Sequence, residues 1–142
     1  MSAAESLHTS RQLVVFELAH EQYALPIERV QEIIRYTDPR HVTTDSTWVK
    51  GVINLRGKIV PVCDLAARIG AQADDAQTAN IVIVDIPDGT AGLIVNRVNE
   101  VLTIDEHQIE LAPATSDAAV RDIAKIDDRL VVLIDPGALV VS

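Results

Sequence analysis

The sequence predicts an all-β protein made of two small five-stranded β-barrels packed together, with one or two short helices. About nine or ten short runs of β-prone residues recur along the chain, with turn residues every 8–12 positions. Hydrophobic residues make up 48% of the 142 residues and aromatic residues only 3%, so the core must be aliphatic. Valine and isoleucine are frequent in these runs, and their branched side chains suit the pleated surface of a sheet.

The first half of the chain is expected to contain strands, one short helix and one helical turn. Residues 1–10 are small and polar and predict a disordered tail. The run over 12–19 is apolar on both faces, which indicates a strand covered on both sides. Residues 27–36 place apolar side chains at helical spacing and predict a short amphipathic helix. The other expected elements are strands over 23–27, 52–55 and 58–65, a loop over 43–47, and a helical turn capped by Asp64 and ended by Gly70.

The second half repeats this alternation of strands and turns. Its expected elements are a polar connection over 71–79, strands over 80–86, 90–95, 98–104, 122–127 and 129–135, a loop over 105–120, and a closing helical turn over 136–141. No repeat and no Gly/Ser linker is visible, which predicts one domain over 11–142 with subdomains over roughly 20–78 and 79–140. The sequence leaves open whether these subdomains share the first strand.

Charge and targeting signals favour proteins or small molecules as partners. The formal net charge is -9, from 12 basic and 21 acidic residues. Nucleic acids and anionic membranes are bound through lysine and arginine, so neither is an expected partner. One cysteine, no signal peptide and no apolar run of about 18 residues predict a cytoplasmic protein with no direct membrane insertion.

The stretch from Gly51 to Leu65 carries three features that could indicate chemistry. A phosphate loop fails on spacing, because Ile59 stands where Ser or Thr must follow the Gly57-Lys58 pair. Cys63 lies in an apolar strand with no histidine placed to activate it, which predicts a core residue. No ligand spacing for zinc or calcium occurs either. The sequence therefore predicts no catalytic residue, no metal and no cofactor.

Arg56 is the third feature, a lone arginine in an apolar run. The following Gly57 permits a positive φ, so a hairpin turn is expected at this point. Arg56 is then either a solvated residue at a hairpin tip or a fixed cation presented to a carboxylate or a partner helix. The residues alone leave both interpretations open.

Four blocks of the sequence resemble the CheW-like chemotaxis coupling domain. They are "FELAHEQYALPIERVQEI", "WVKGVINLRGKIVPVCDL", "AGLIVNRVNEVL" and "AKIDDRLVVLID", of which the second is the most specific. Their order and spacing match the family over about 11–140. The resemblance implies two barrels of the Src-homology-3-like type around a shared core, and a protein that is not an enzyme.

The resemblance also implies partners and contact residues. Such proteins bridge the regulatory domain of a histidine kinase to the cytoplasmic hairpin tip of a chemoreceptor, at membrane-associated receptor arrays. The receptor tip is expected in the groove between the barrels, where Arg56 and Glu32 are hypothesised to form a charged pair. The implied receptor-binding residues are Val30, Glu32, Arg56, Val98 and Val101. The implied kinase-binding residues are Val42, Lys50 and Gly51.

The sequence departs from the family pattern at two places. The loop before "WVKG" reads "HVTTDST" where prolines are usual, and Asp122 stands where a glycine is often found. No further domain is recognised in the 142 residues, so a stand-alone coupler is expected. The alternatives are a small-ligand-binding barrel protein or enzyme, and a coupler for a pilus-motility or other non-flagellar array.

Overall fold

The computed structural model describes residues 10–71, 78–113 and 118–139. The expected tail over 1–9, most of the polar connection (72–77), part of the second-half loop (114–117) and the end of the closing turn (140–142) lie outside the described residues. The strands are β1 (Ser10–Leu18), β2 (Glu21–Pro26), β3 (Val30–Arg35), β4 (Val49–Leu55), β5 (Lys58–Asp64), β6 (Asn80–Ile86), β7 (Gly89–Val95), β8 (Arg97–Asp105), β9 (Ile109–Leu111), β10 (Val120–Ile126) and β11 (Arg129–Ile134). The described helical elements are α1 (Leu65–Ile69) and 3₁₀ turns at Ile27–Arg29, Glu106–Gln108 and Pro136–Ala138.

The strands form two sheets, which confirms the predicted all-β class. The terminal sheet has the order β8-β1-β2-β11-β10-β9 and the central sheet has the order β3-β6-β7-β5-β4. Sheet membership changes between β2 and β3 and again between β7 and β8, and not near residue 78. The division of the chain into folding units stays a prediction.

Neither sheet closes into a barrel by strand pairing within the described residues. The terminal sheet has six strands instead of the expected five, because β9 adds to its edge. The segment that follows β3 reaches β4, at the opposite edge of the central sheet. Arg40, in the segment after β3, bridges Val52 of β4 through backbone hydrogen bonds of 2.8 and 2.9 Å.

The amphipathic helix predicted over 27–36 is wrong. Only Ile27–Arg29 forms a 3₁₀ turn, and Val30–Arg35 is a strand that pairs with β6. Val30, Ile33 and Ile34 are β-branched, and a neighbouring strand satisfies the backbone here, so pairing outweighs a helical spacing that extends over barely two turns.

Two smaller boundaries also differ from the sequence prediction. Ser10, expected in the tail, already pairs with Asp105 at the start of β1. The loop expected over 105–120 contains a 3₁₀ turn and β9. By contrast, the helical turn forms as predicted: Asp64 Oδ1 accepts a hydrogen bond from the Ala67 amide at 3.3 Å, and Gly70 ends α1 with φ +76°.

Three clusters of buried, mostly aliphatic side chains stabilise the fold. Two consist of residues from one sheet each, and the third, which we call the shared core, combines residues of both sheets. The shared core includes Phe16, Leu18, Leu25, Trp48, Cys63, Leu65, Val82, Val84, Leu93, Ile134 and Leu139. Each fully buried aliphatic or aromatic side chain of this kind contributes roughly 1.5–3 kcal/mol. The shared core therefore makes the two sheets one unit.

Candidate functional site

Arg56 lies at the tip of the β4–β5 hairpin, as the sequence predicts. The turn places Arg56 at φ +52° and Gly57 at φ +85°, and Asn54 Oδ1 accepts the Gly57 amide at 2.8 Å. Glycine adopts this left-handed conformation readily, while arginine needs such outside support. The turn therefore fixes the direction in which the arginine side chain leaves the hairpin.

The guanidinium of Arg56 binds the carboxylate of Glu32 with two hydrogen bonds. Nη1 donates to Oε1 at 3.1 Å, and Nη2 donates to Oε2. This bidentate geometry is one that lysine cannot reproduce. The hypothesised charged pair is confirmed, whereas its role in receptor binding stays a prediction.

The pair joins opposite edges of the central sheet. Glu32 belongs to β3 at one edge, and Arg56 connects β5 to β4 at the other edge. Ile34 of β3 and Leu55 of β4 also pack against the same buried cluster. The ion pair therefore connects side chains from opposite edges of the central sheet.

Solvent exposure limits what the pair contributes to stability. Hydrogen bonds from Arg56 hold the pKa of Glu32 below its usual value, and the same bonds raise the pKa of Arg56. The pair thus contributes above the pKa of an unfolded glutamate and is lost as the pH falls through the lower folded pKa. The side chains are 70% and 28% exposed, so solvent screens their attraction.

The edge strands β3 and β8, one from each sheet, carry the apolar residues of the implied receptor site. Val30 is paired with Val84 of β6, and Val98 is paired with Phe16 of β1. Because opposed residues share a face, both valines border the shared core. Val101 lies further along β8 and is 51% exposed. We call this region, with Val30, Val98 and Val101, the edge junction.

Sequence reasoning missed Ile33, which also lies at the edge junction. Ile33 is 40% exposed and is opposite Val82 of the shared core. In a regular strand, residues three apart face opposite sides, but a bulge between Val30 and Glu32 places Val30 and Ile33 on one face. A bulge leaves no signal in a single sequence, so the side of the sheet that Ile33 faces could not be predicted.

Two asparagines make long-range hydrogen bonds near the start of β8 and were also missed. Asn80, the first residue of β6, accepts a hydrogen bond from the Val98 amide at 3.0 Å and donates one to the Ile34 carbonyl at 3.3 Å. The side-chain oxygen of Asn96 accepts a hydrogen bond from the Ala19 backbone amide at 3.0 Å, and the backbone amide of Asn96 donates one to the Glu17 carbonyl at 3.0 Å. Polar residues at strand ends usually indicate turns, so the sequence gives no sign of these long-range bonds.

Two of the implied kinase-binding residues, Lys50 and Gly51, lie on β4, an edge strand of the central sheet. Lys50 is 53% exposed on its side chain, with its ammonium 3.9 Å from Asp64 Oδ2. Val42 is half-buried in the segment that follows Arg40. Gly51 is buried, and a Cβ built on it would lie 2.2 Å from the Arg40 carbonyl oxygen. Gly51 thus allows the 36–47 segment to pack on β4 and offers no side chain to a partner.

Comparison with known proteins identifies the family. The family model described as the CheW-like domain matches residues 12–142. The chain belongs to the CheW-like family. Members of this family are non-enzymatic scaffold or adaptor proteins of chemotaxis, which confirms the predicted absence of enzymatic activity and removes the enzyme alternative.

Individual CheW-like relatives agree with this assignment. The chain is 31% identical to "Chemotaxis protein CheW" of Bacillus subtilis, covering 94% of this chain and 88% of that one. The crystal structure of the scaffolding protein TtCheW from Thermoanaerobacter tengcongensis is similar with a TM-score of 0.83 at 40% identity, covering 91% of each chain. A weaker similarity, 31% identity, links 58% of this chain to 47% of "Protein PilI" of Pseudomonas aeruginosa.

The single thiol of this CheW-like chain is buried. Cys63 is fully buried in the shared core, and burial raises the pKa of its thiol to about 12. The described ranges contain no group of three or more His, Cys, Asp or Glu side chains that could hold a metal ion. None of the helices in the described part of the chain has the length and apolar character needed to cross a membrane.

Proposed function

We propose that this CheW-like adaptor couples the cytoplasmic hairpin tip of a chemoreceptor to the regulatory domain of a histidine kinase. The observation that carries the proposal is the family match over residues 12–142, nearly the whole chain. The protein would then work in the cytoplasm and be recruited to membrane-associated receptor arrays. The geometry supports the proposal because two separate surfaces are available for two partners.

The edge junction with the Arg56–Glu32 pair is the proposed receptor surface. Val30, Val98 and Val101 supply an apolar strip suited to the apolar face of a helix. The exposed guanidinium at its margin supplies a charged contact with a defined direction, and arginine is enriched among residues that dominate binding energy. An apolar strip with a fixed charge at its margin can set both the affinity and the orientation of a helical hairpin.

The exposed part of β4 with its covering segment is the proposed kinase surface. Lys50 would contact the regulatory domain directly, and Val42 would contribute apolar area from the covering segment. Gly51 would act indirectly, because its missing side chain lets that segment lie on β4. The two surfaces use different parts of the central sheet, so their effects on binding should be separable.

Three charge-reversal variants of the full chain test this arrangement. Arg56→Glu should weaken binding to a soluble receptor fragment containing the hairpin tip and leave binding to the kinase regulatory domain intact. Lys50→Glu should do the opposite. Lys125→Glu is the matched control, because Lys125 is an exposed lysine on β10 of the terminal sheet that pairs with Glu110 at 2.9 Å.

The expected readout is two affinities per variant, with melting temperatures close to the wild type. Loss of both partners in Arg56→Glu and in Lys50→Glu, without a change in melting, would indicate one shared site. A wild-type protein that binds neither partner would refute the coupling function itself.

The weaker similarity to protein PilI fits a second candidate, a coupler in a pilus-motility or other non-flagellar array. Both candidates are couplers that would use the same two surfaces, and they differ in the receptor and kinase that they bind. Deletion of the gene, followed by swimming and surface-motility assays, separates them, and identification of co-purified proteins from a native extract names the kinase and receptor.

A further inference from the structure

We propose that Asn80 is a positioning residue that fixes β3 and β8, the two strands that carry the apolar residues of the proposed receptor surface, relative to each other. This inference rests on the proposed function, because it assigns Asn80 a role at the edge junction. The residue touches neither Arg56 nor Glu32 in any described hydrogen bond, and its effect would pass through β3 and β8.

Both polar atoms of the Asn80 amide are used, and each binds the backbone of a different strand. Oδ1 accepts from the Val98 amide at 3.0 Å, and Nδ2 donates to the Ile34 carbonyl at 3.3 Å. Both bonds are partly buried, so solvent competes with them less than at an open surface. A single side chain thus links β8 of the terminal sheet to β3 of the central sheet.

This link matters because the two sheets are not joined by strand pairing in the described residues. Contact between the sheets is mainly packing in the shared core, and packing is non-directional. Hydrogen bonds, in contrast, require defined distances and angles. The Asn80 bonds therefore restrict the relative position of β3 and β8 more closely than contacts between aliphatic side chains can.

The position of the link connects it to receptor binding. Val98 is one of the proposed receptor contacts, and Ile34 is two residues from Glu32 on the same strand. Without the Asn80 amide, the apolar strip and the charged pair could move relative to each other, and a helical hairpin would have to realign them on binding. Loss of one or two such bonds predicts about a threefold to tenfold weaker receptor affinity.

The test uses the full chain and three variants. Asn80→Ala removes both bonds, whereas Asn80→Asp keeps the acceptor for Val98 and loses the donor to Ile34. The matched control is Gln108→Ala: the Gln108 amide also bridges two backbone groups, Asp105 N at 2.8 Å and Lys125 O at 3.4 Å, but within the terminal sheet. Each variant is measured for affinity to the hairpin-tip receptor fragment, affinity to the kinase regulatory domain, and amide hydrogen exchange at Val98 by NMR.

The expected result is a split between the two affinities. Asn80→Ala should weaken receptor binding, speed exchange at Val98 and leave kinase binding within about twofold of wild type. Asn80→Asp should also weaken receptor binding, because one of its carboxylate oxygens would face the Ile34 carbonyl oxygen in place of the lost donor. Gln108→Ala should change neither affinity. A merely structural role would lower both affinities together with the melting temperature, and that outcome would overturn the inference.

The inference and the proposed function fail in distinguishable ways. Unchanged receptor affinity in Asn80→Ala, with faster exchange at Val98, overturns the positioning role and leaves the coupling function standing. Unchanged exchange at Val98 shows that the link does not hold β8, whatever the receptor does. A wild-type chain that fails to bind the receptor fragment refutes the proposed function and, with it, the receptor role of Asn80.

Discussion

Replacing Gly51 by alanine tests how the 36–47 segment is held on the central sheet. The new Cβ would lie 2.2 Å from the Arg40 carbonyl oxygen and 2.7 Å from its carbon, closer than real Cβ atoms approach. Because these atoms belong to the backbone, the segment itself must move, which breaks the Arg40–Val52 hydrogen bonds of 2.8 and 2.9 Å. At a net 0.5–1.5 kcal/mol each, their loss lowers the free energy of unfolding by about 1–3 kcal/mol. For a domain of this size, the melting temperature should fall by roughly 3–12 °C.

Thermal unfolding followed by circular dichroism measures this change, with Gly89→Ala as the matched control. Gly89 also has a positive φ, +131° against +155° for Gly51, but a Cβ added to Gly89 would meet nothing within 4 Å. The control therefore reports backbone strain without the clash. Gly51→Ala should melt lower than Gly89→Ala and should also bind the kinase regulatory domain less well, because Val42 moves with the segment. Equal melting of the two variants would refute the proposed packing role.

Three further predictions concern the core, the ion pair and a hairpin turn. Cys63→Ala should lower the free energy of unfolding by about 1 kcal/mol and leave partner binding intact. The wild-type thiol should react with a labelling reagent only when the protein unfolds. Rapid labelling of the folded protein at neutral pH would contradict the burial of Cys63 and its pKa of about 12. In a double-mutant cycle, Arg56→Glu combined with Glu32→Arg should recover part of the receptor affinity that Arg56→Glu loses, since the pair is restored with its signs exchanged. Additive losses of affinity would argue against an energetic coupling between the two residues. The β1–β2 turn holds Ala19 at φ +54° and His20 at φ +67°, so Ala19→Asn with His20→Gly should raise the unfolding free energy by about 1 kcal/mol, and no gain in a denaturant titration would show that the native turn carries no strain.

Local features of the fold could be predicted from the sequence, because nearby residues determine them. The Arg56-Gly57 hairpin needs only a residue that tolerates a positive φ, and α1 needs only its cap at Asp64 and its glycine end. Burial of Cys63 also follows from its apolar neighbours. These predictions depend on residues within a few positions of one another.

Features that depend on distant partners could not be predicted. Residues 27–36 have apolar side chains whose spacing is compatible with either a helix or a strand. Pairing of Val30–Arg35 with β6 is what makes this segment a strand. The distribution of strands between the sheets depends on the pairing of β2 with β11 and of β5 with β7, which joins segments far apart in the chain.

The candidate site shows the same limit. The resemblance indicated Arg56 and Glu32, and the structure brings them together across 24 positions of sequence. The bulge that places Ile33 on the same face of β3 as Val30 and the two backbone bonds of Asn80 had no sequence signal, because asparagine and isoleucine occur at such positions for many reasons. The buried state of Gly51 likewise depends on where the 36–47 segment returns to the sheet.

The order of the strands has a consequence for synthesis of the chain. All five strands of the central sheet lie in the continuous stretch from Val30 to Val95, whereas the terminal sheet combines β1 and β2 with strands that begin at Arg97. On a ribosome the central sheet can therefore assemble first, while β1 and β2 wait for partners that have not yet been made. Val98 is made only after that point, so a nascent chain that ends at Val95 contains Arg56 and Glu32 but lacks the proposed receptor contacts of β8. Under the proposed function, we expect that only a fully made chain can engage a receptor tip, which would keep incomplete adaptors out of an array.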